Sequence, residues 1–151
     1  MGRRIELAAA VVLTLVAAWS GTARAQEAAE AASGATANGL AIELNTLAAT
    51  SSGGCRLTFV VSNRTGAEVP QPRYEFVLFN KDGLVDRLTT FDFGALAEGK
   101  TSVRQFDLAG VSCDGLGRIL VNGPAQCGDG SAPHCSARLE LASRADISLV
   151  Q

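Results

Sequence analysis

Arg56-Leu57-Thr58-Phe59-Val60-Val61-Ser62 sets Leu57, Phe59 and Val61 on one side of an extended chain, with Arg56, Thr58 and Ser62 on the other. Side chains of a strand point alternately to its two faces, so a two-residue apolar period describes a strand with one buried face. The period recurs on either side of this stretch. Upstream, Leu40-Ala41-Ile42-Glu43-Leu44-Asn45 puts Leu40, Ile42 and Leu44 on one face. Downstream, Tyr74, Phe76 and Leu78 form the next inward set. Asn80-Lys81-Asp82-Gly83 then reads as a tight turn, because glycine takes a positive φ without steric cost.

Residues 84–93 form a strand of mixed parity, which suits a sheet edge, a bulge or burial on both faces. Glu98-Gly99-Lys100 turns the chain into a strand over residues 102–108, and residues 118–122 carry Ile119 and Val121 on one face. The longest alternation comes last, with Leu139, Leu141, Ile147 and Leu149 inward and Glu140, Arg144, Asp146 and Ser148 outward. No segment after the leader shows a helical apolar period. About seven strands separated by turn signals bury all their apolar faces when two sheets pack against each other. The expected fold is all-β: an immunoglobulin-like antiparallel β-sandwich over residues 39–151, with a small closed barrel as the alternative.

Residues 1–25 have the layout of a secretory signal peptide. Arg3 and Arg4 supply the positive start, an apolar stretch runs from Leu7 to Trp19, and Ala23 and Ala25 set small residues before a cut. The stretch is short for a membrane span, which needs about 20 apolar residues. Arg3-Arg4 also brings a twin-arginine route into view, although Gly2 and Glu6 depart from that pattern. Residues 26–38 are Ala-, Glu- and Gly-rich without a large apolar side chain, and read as a flexible linker. The expected location is the periplasm, with secretion as the alternative and no membrane anchor after cleavage.

The whole chain has a formal charge of −2; the leader carries Arg3, Arg4, Arg24 and Glu6, a net +2, which leaves −4. Nucleic-acid binding draws its affinity from Lys and Arg neutralising phosphates, so this balance argues against such a partner. All four cysteines, Cys55, Cys113, Cys127 and Cys135, follow the leader, and an even count in an exported chain reads as two disulfides. Three pairings are open on sequence alone. In an immunoglobulin-like sandwich the second and sixth strands run in the same direction on opposite sheets. Cys55 begins the second strand and Cys113 precedes the sixth, so that topology favours Cys55–Cys113 and leaves Cys127–Cys135 as a small ring.

Phe59-Val60-Val61-Ser62-Asn63-Arg64-Thr65-Gly66, Phe76-Val77-Leu78-Phe79-Asn80, Asp82-Gly83, and Leu96 with Gly99-Lys100-Thr101 together resemble the FxLYD-type domains of exported bacterial proteins. Phe79 stands where that family has Tyr, and Asn80 where it has Asp. The resemblance implies an immunoglobulin-like exported module and brings no catalytic residues. The chain also resembles exported proteins that bear a twin-arginine-like signal.

Candidate sites are few. The segment 123–138 holds Asp129, the sole histidine His134 and two cysteines, and a ring-stapled loop at the end of a sandwich is a plausible binding loop. A loop stapled only against proteolysis is the plainer reading. Cys127, Asp129, His134 and Cys135 are metal-ligating types, but adjacent His134-Cys135 suits tetrahedral geometry poorly and oxidised thiols do not ligate. No Cys-x-x-Cys, Gly-x-Ser-x-Gly or His-Glu-x-x-His is present, so neither a cofactor nor an enzyme activity is expected. Asn63-Arg64-Thr65 matches a glycosylation sequon and reads more simply as an Asx turn. On the sheet, Val77 and Phe79 point away from Tyr74, Phe76 and Leu78, and with Phe91 or Phe93 they would form an outward apolar strip. The leading expectation is a non-enzymatic periplasmic interaction or accessory module whose partner is another envelope protein. A small-ligand or metal carrier using the loop, and a purely structural envelope domain, are the alternatives.

Mass spectrometry of the exported protein should find Gln26 at its N-terminus; retention of Met1 would remove the signal-peptide reading.

Overall fold

A computed structural model describes residues 38–125 and 132–151. The leader, nearly all of the linker, Cys127 and Asp129 lie outside them. Eight strands form: β1 (Gly39–Ala49), β2 (Cys55–Asn63), β3 (Arg73–Asn80), β4 (Val85–Asp92), β5 (Thr101–Leu108), β6 (Leu116–Pro124), β7 (Arg138–Ser143) and β8 (Ser148–Val150). One sheet has the order β5-β2-β1-β7 and the other β4-β3-β6-β8. The only helical pieces among the described residues are a 3-10 turn at Cys113–Gly115 and a four-residue helix, α1 (Pro133–Ser136).

The alternation finds its core. Leu40, Ile42 and Leu44 of β1, Leu57, Phe59 and Val61 of β2, and Tyr74, Phe76 and Leu78 of β3 are all buried in one cluster that spans both sheets. Phe59 sits at its centre. Its ring centroid lies 5.7 Å from Phe76, 5.9 Å from Phe91, 5.8 Å from Phe93 and 6.0 Å from Phe106. Edge-to-face and offset aromatic pairs at such separations add to the stabilisation from burial.

Two expectations are corrected. The last alternation is two strands rather than one, and neither sheet is purely antiparallel. β7 pairs with β1 in parallel, and β8 pairs with β6 in parallel in the opposite sheet. The chain crosses between the sheets over residues 144–147, where Ser143 Oγ donates to the Ile147 carbonyl at 2.6 Å and Arg144 N–H donates to the Leu44 carbonyl at 2.9 Å. Leu139 and Leu149 keep the same parity on both sides of the crossing, so alternation alone cannot reveal it.

Residues 84–93 resolve as an edge strand carrying a bulge, with the register of β3 against β4 shifting between Leu78 and Phe79. The side of the sandwich between edge strands β4 and β5 is closed by side chains. Phe91 stacks on Phe106 at 4.3 Å. Arg104 Nε donates to the Phe93 carbonyl at 2.6 Å, and Arg87 Nη1 donates to the Ala109 carbonyl at 3.0 Å.

Asn63 is fully buried, and its amide is fully used. Nδ2 donates to the carbonyls of Ala67 and Leu96, both at 2.8 Å, while Oδ1 accepts from the Thr65 N–H at 3.0 Å. The sequon is thus an Asx turn that ties the end of β2 to the segment before β5. Asn80 does the same at the β3–β4 hairpin, accepting from the N–H groups of Asp82 and Leu84. Gly117 allows β6 to pass that hairpin, since a Cβ there would meet the Asn80 carbonyl oxygen at 2.5 Å.

Cys55 and Cys113 form a disulfide. It joins the start of β2 to the turn before β6, across the two sheets, and the chain-entropy model gives such a loop about 4 kcal/mol of stabilisation. Cys135 is not a free thiol.

Urea unfolding with the disulfide intact should show Phe59→Ala losing about 3–5 kcal/mol. Asn63→Ala should lose about 1–3 kcal/mol, because it strands buried carbonyls. A loss under 1 kcal/mol at Phe59 would contradict its central place.

Candidate functional site

The sequence singled out one loop and one sheet face, and they fare differently. His134, on α1, is 6% exposed, so its ring is packed inside the domain rather than displayed on a loop. It meets the Tyr74 ring edge-on at 5.9 Å, and its Nε2 lies 3.4 Å from the Ala125 carbonyl oxygen. Its backbone carbonyl accepts the Tyr74 hydroxyl at 2.9 Å. Burial raises the pKa of that phenol well above the usual tyrosine range, so it stays a hydroxyl donor. The contacts of His134 hold the return of the chain against the core. Asp129 and Cys127 lie outside the described residues. No group of three or more His, Cys, Asp or Glu side chains among the described residues is placed to hold a metal.

Asp92, Asp107 and Glu43 are each partners of a neighbouring arginine. Asp92 takes the Gly94 N–H at 2.8 Å on one oxygen and Arg73 and Gln71, both at 2.8 Å, on the other. The bond from the Gly94 backbone, and then those from Arg73 and Gln71, hold its carboxyl below the usual range. Asp107 is lowered in the same way by a two-pronged bond from Arg56, at 2.6 and 2.7 Å, and Glu43 by Asn45 and Arg144.

The sheet faces differ sharply on their outer sides. On β5-β2-β1-β7, cross-strand polar pairs cover much of the surface. Besides Arg56 with Asp107, Gln105 Nε2 donates to Thr58 Oγ1 at 3.1 Å, the Ser62 and Thr101 hydroxyls share a bond at 2.7 Å, and Arg144 meets Glu43 at 2.9 Å. Val60 opposite Val103 is an apolar pair in that ladder.

On β4-β3-β6-β8, the outward residues of β3 are Arg73, Glu75, Val77 and Phe79. Residues directly opposite each other on neighbouring strands share a face. Val77 stands opposite Leu88 of β4 and Leu120 of β6, and Leu120 stands opposite Val150 of β8. Four aliphatic side chains therefore form one row across the whole sheet, about 14 Å long at the usual strand spacing. Leu88 is 57% exposed and Val150 36%, while Val77, at 7%, lies beneath its neighbours and outside the core cluster.

A second row, towards the β3–β4 turn, holds Val85, Phe79, Arg118 and Ser148. The Arg118 guanidinium lies 4.1 Å over the Phe79 ring, and Val85 is 54% exposed. On the other side of the aliphatic row, Glu75 accepts from the Asn122 amide and faces Thr90.

The expected strip is therefore half right in its residues. Val77 and Phe79 do lie on the outer face. Phe91 and Phe93 do not: both are buried in the aromatic cluster, because each falls on the inward parity of the β4 side. Leu88, Leu120 and Val150 take their place. Leu88 is legible in the sequence as an apolar residue off the parity of Phe91 and Phe93, whereas Val85 shares their parity and turns outward only through the register shift at Asp86.

An open groove of about 460 Å³ lies beside the chain crossing, lined by Leu47, Leu116 and Ile147 together with Lys81, Asp114 and Asp146. Comparison with protein-family models, curated proteins and solved structures finds no match.

Because Asp92 is harder to protonate folded than unfolded, its contribution is complete above the ordinary carboxylate range and is lost as pH falls through about 4 towards its folded value. Asp92→Asn should flatten the acid limb of a stability-versus-pH curve. An unchanged limb would show that the carboxylate contributes nothing there.

Proposed function

We propose that this chain is an exported, non-enzymatic interaction module of immunoglobulin-like fold that binds a protein partner in the envelope through the outer face of β4-β3-β6-β8. The observation that carries the reading is the contrast between the two outer faces. One is laced by polar cross-strand pairs, whereas the other bears Leu88, Val77, Leu120 and Val150 in a single row with Val85 and Phe79 beside it. Contiguous exposed apolar surface with a polar margin is the usual mark of a protein contact.

The immunoglobulin-like assignment is supported by the strands β2 and β6 starting at the same end, tied by Cys55–Cys113, and by the FxLYD-type resemblance over the β2 to β5 region. A second disulfide, Cys127–Cys135, and delivery to the periplasm complete the reading; the leader-like N-terminus and the disulfide support the compartment. The carrier alternative loses its main support because His134 is packed against Tyr74.

A photo-crosslinking residue placed at position 88 should trap a protein partner in intact cells that export the chain, while one at position 58 on the polar face should not. Equal trapping at both positions, or none at 88, would defeat the assignment of this face.

A further inference from the structure

The row on β4-β3-β6-β8 has a property that selects its partner. Its two long flanks carry opposite charges. Arg118 lies on one side, beside Phe79, and Glu75 on the other, four residues away along β3 and so about 13 Å distant. Neither makes a salt bridge among the described residues.

A two-fold axis lying in the plane of the face and running along the aliphatic row would turn a second copy over onto the first. Each position along the row is kept, and each strand direction is reversed. Leu88 then meets Leu88, and Val77, Leu120 and Val150 meet their own counterparts. Reversal carries the second copy's Arg118 to the flank where the first copy holds Glu75. The two backbone positions then stand about 4.8 Å apart sideways and about 10 Å apart face to face, a gap that an Arg and a Glu side chain span together. The symmetry makes the same pair again on the opposite flank. Strands packed face to face in nearly aligned directions are the ordinary geometry of stacked sheets.

We infer that the occupant of this face is a second copy of the same chain, in an isologous dimer built on the row and closed by two reciprocal Arg118–Glu75 ion pairs. The inference rests on the reading of this face as a partner surface and adds the identity of the partner. A single patch that is apolar along its axis and oppositely charged on its two sides is self-complementary under one rotation. Electrostatic complementarity of this kind fixes register and orientation as much as it adds affinity. An unrelated partner would require no such antisymmetry.

Sedimentation equilibrium of the mature, oxidised protein over a wide concentration range tests it. The wild type should show a reversible monomer–dimer equilibrium, and Leu88→Asp should be monomeric throughout. Arg118→Glu alone and Glu75→Arg alone should each weaken the dimer by about tenfold or more, since each sets like charges together. The double variant Glu75→Arg, Arg118→Glu should return to within about threefold of wild type, because reversing both charges restores the pairs. Circular dichroism and thermal unfolding of each variant separate lost association from lost folding. A wild type that stays monomeric at every concentration would overturn the dimer. So would a dimer indifferent to Leu88→Asp, or a double variant no better than the singles. If the wild type is monomeric and position 88 still crosslinks to a different protein in cells, the dimer alone falls and the partner face stands.

Discussion

Everything in this domain depends on Phe59 bringing four other phenylalanine rings within about 6 Å across two sheets. The chain has six phenylalanines, and five of them meet in this cluster. Phe59 belongs to β2, Phe76 and Phe91 to the facing sheet, and Phe106 to the edge strand β5. The cluster therefore fixes sheet separation, pins both edge strands and closes one side of the sandwich in a single contact set. The opposite side needs no such device, because there the chain itself crosses from β7 to β8.

That arrangement explains the asymmetry of the outer faces. Once the inward parity of β3 and β4 is committed to Tyr74, Phe76, Leu78 and Phe91, the remaining apolar residues of those strands must face outward. Val77, Phe79 and Leu88 have no other place, and the register shift at Asp86 turns Val85 out beside them. The sixth phenylalanine, Phe79, is left outside this cluster, with the Arg118 guanidinium over its ring. A sequence needing only a stable sandwich would place polar residues there, as it does along most of the β2–β5 ladder, where Val60 and Val103 are the one outward apolar pair. Keeping aliphatic side chains in the exposed positions carries an aggregation risk that an interface offsets.

Three polar side chains, His134, Asn63 and Asp92, serve the scaffold. His134 is tied through its ring and its carbonyl to Tyr74, Asn63 spends its amide on backbone groups and the Thr65 hydroxyl, and Asp92 closes a turn while holding Arg73. Each satisfies groups that would otherwise be buried or strained without a partner. Their chemistry is used up in holding loops to the core.

The alternation of side chains determined by itself that the domain is all-β, which residues of β1, β2 and β3 form its core and where the main turns fall, and it favoured two facing sheets over a small closed barrel. These are local properties, since a strand's parity is set by its own backbone geometry. Cysteine placement on an assumed topology also foretold the Cys55–Cys113 bridge. Only the tertiary structure decided that Leu139 and Leu149 belong to different sheets, that both sheets contain a parallel pair, and that Phe91 and Phe93 turn inward. The bulge between Leu78 and Phe79 and the crossing at residues 144–147 are responses to neighbouring strands. Pairing direction and register are relations between segments distant in sequence, and no single strand's period carries them.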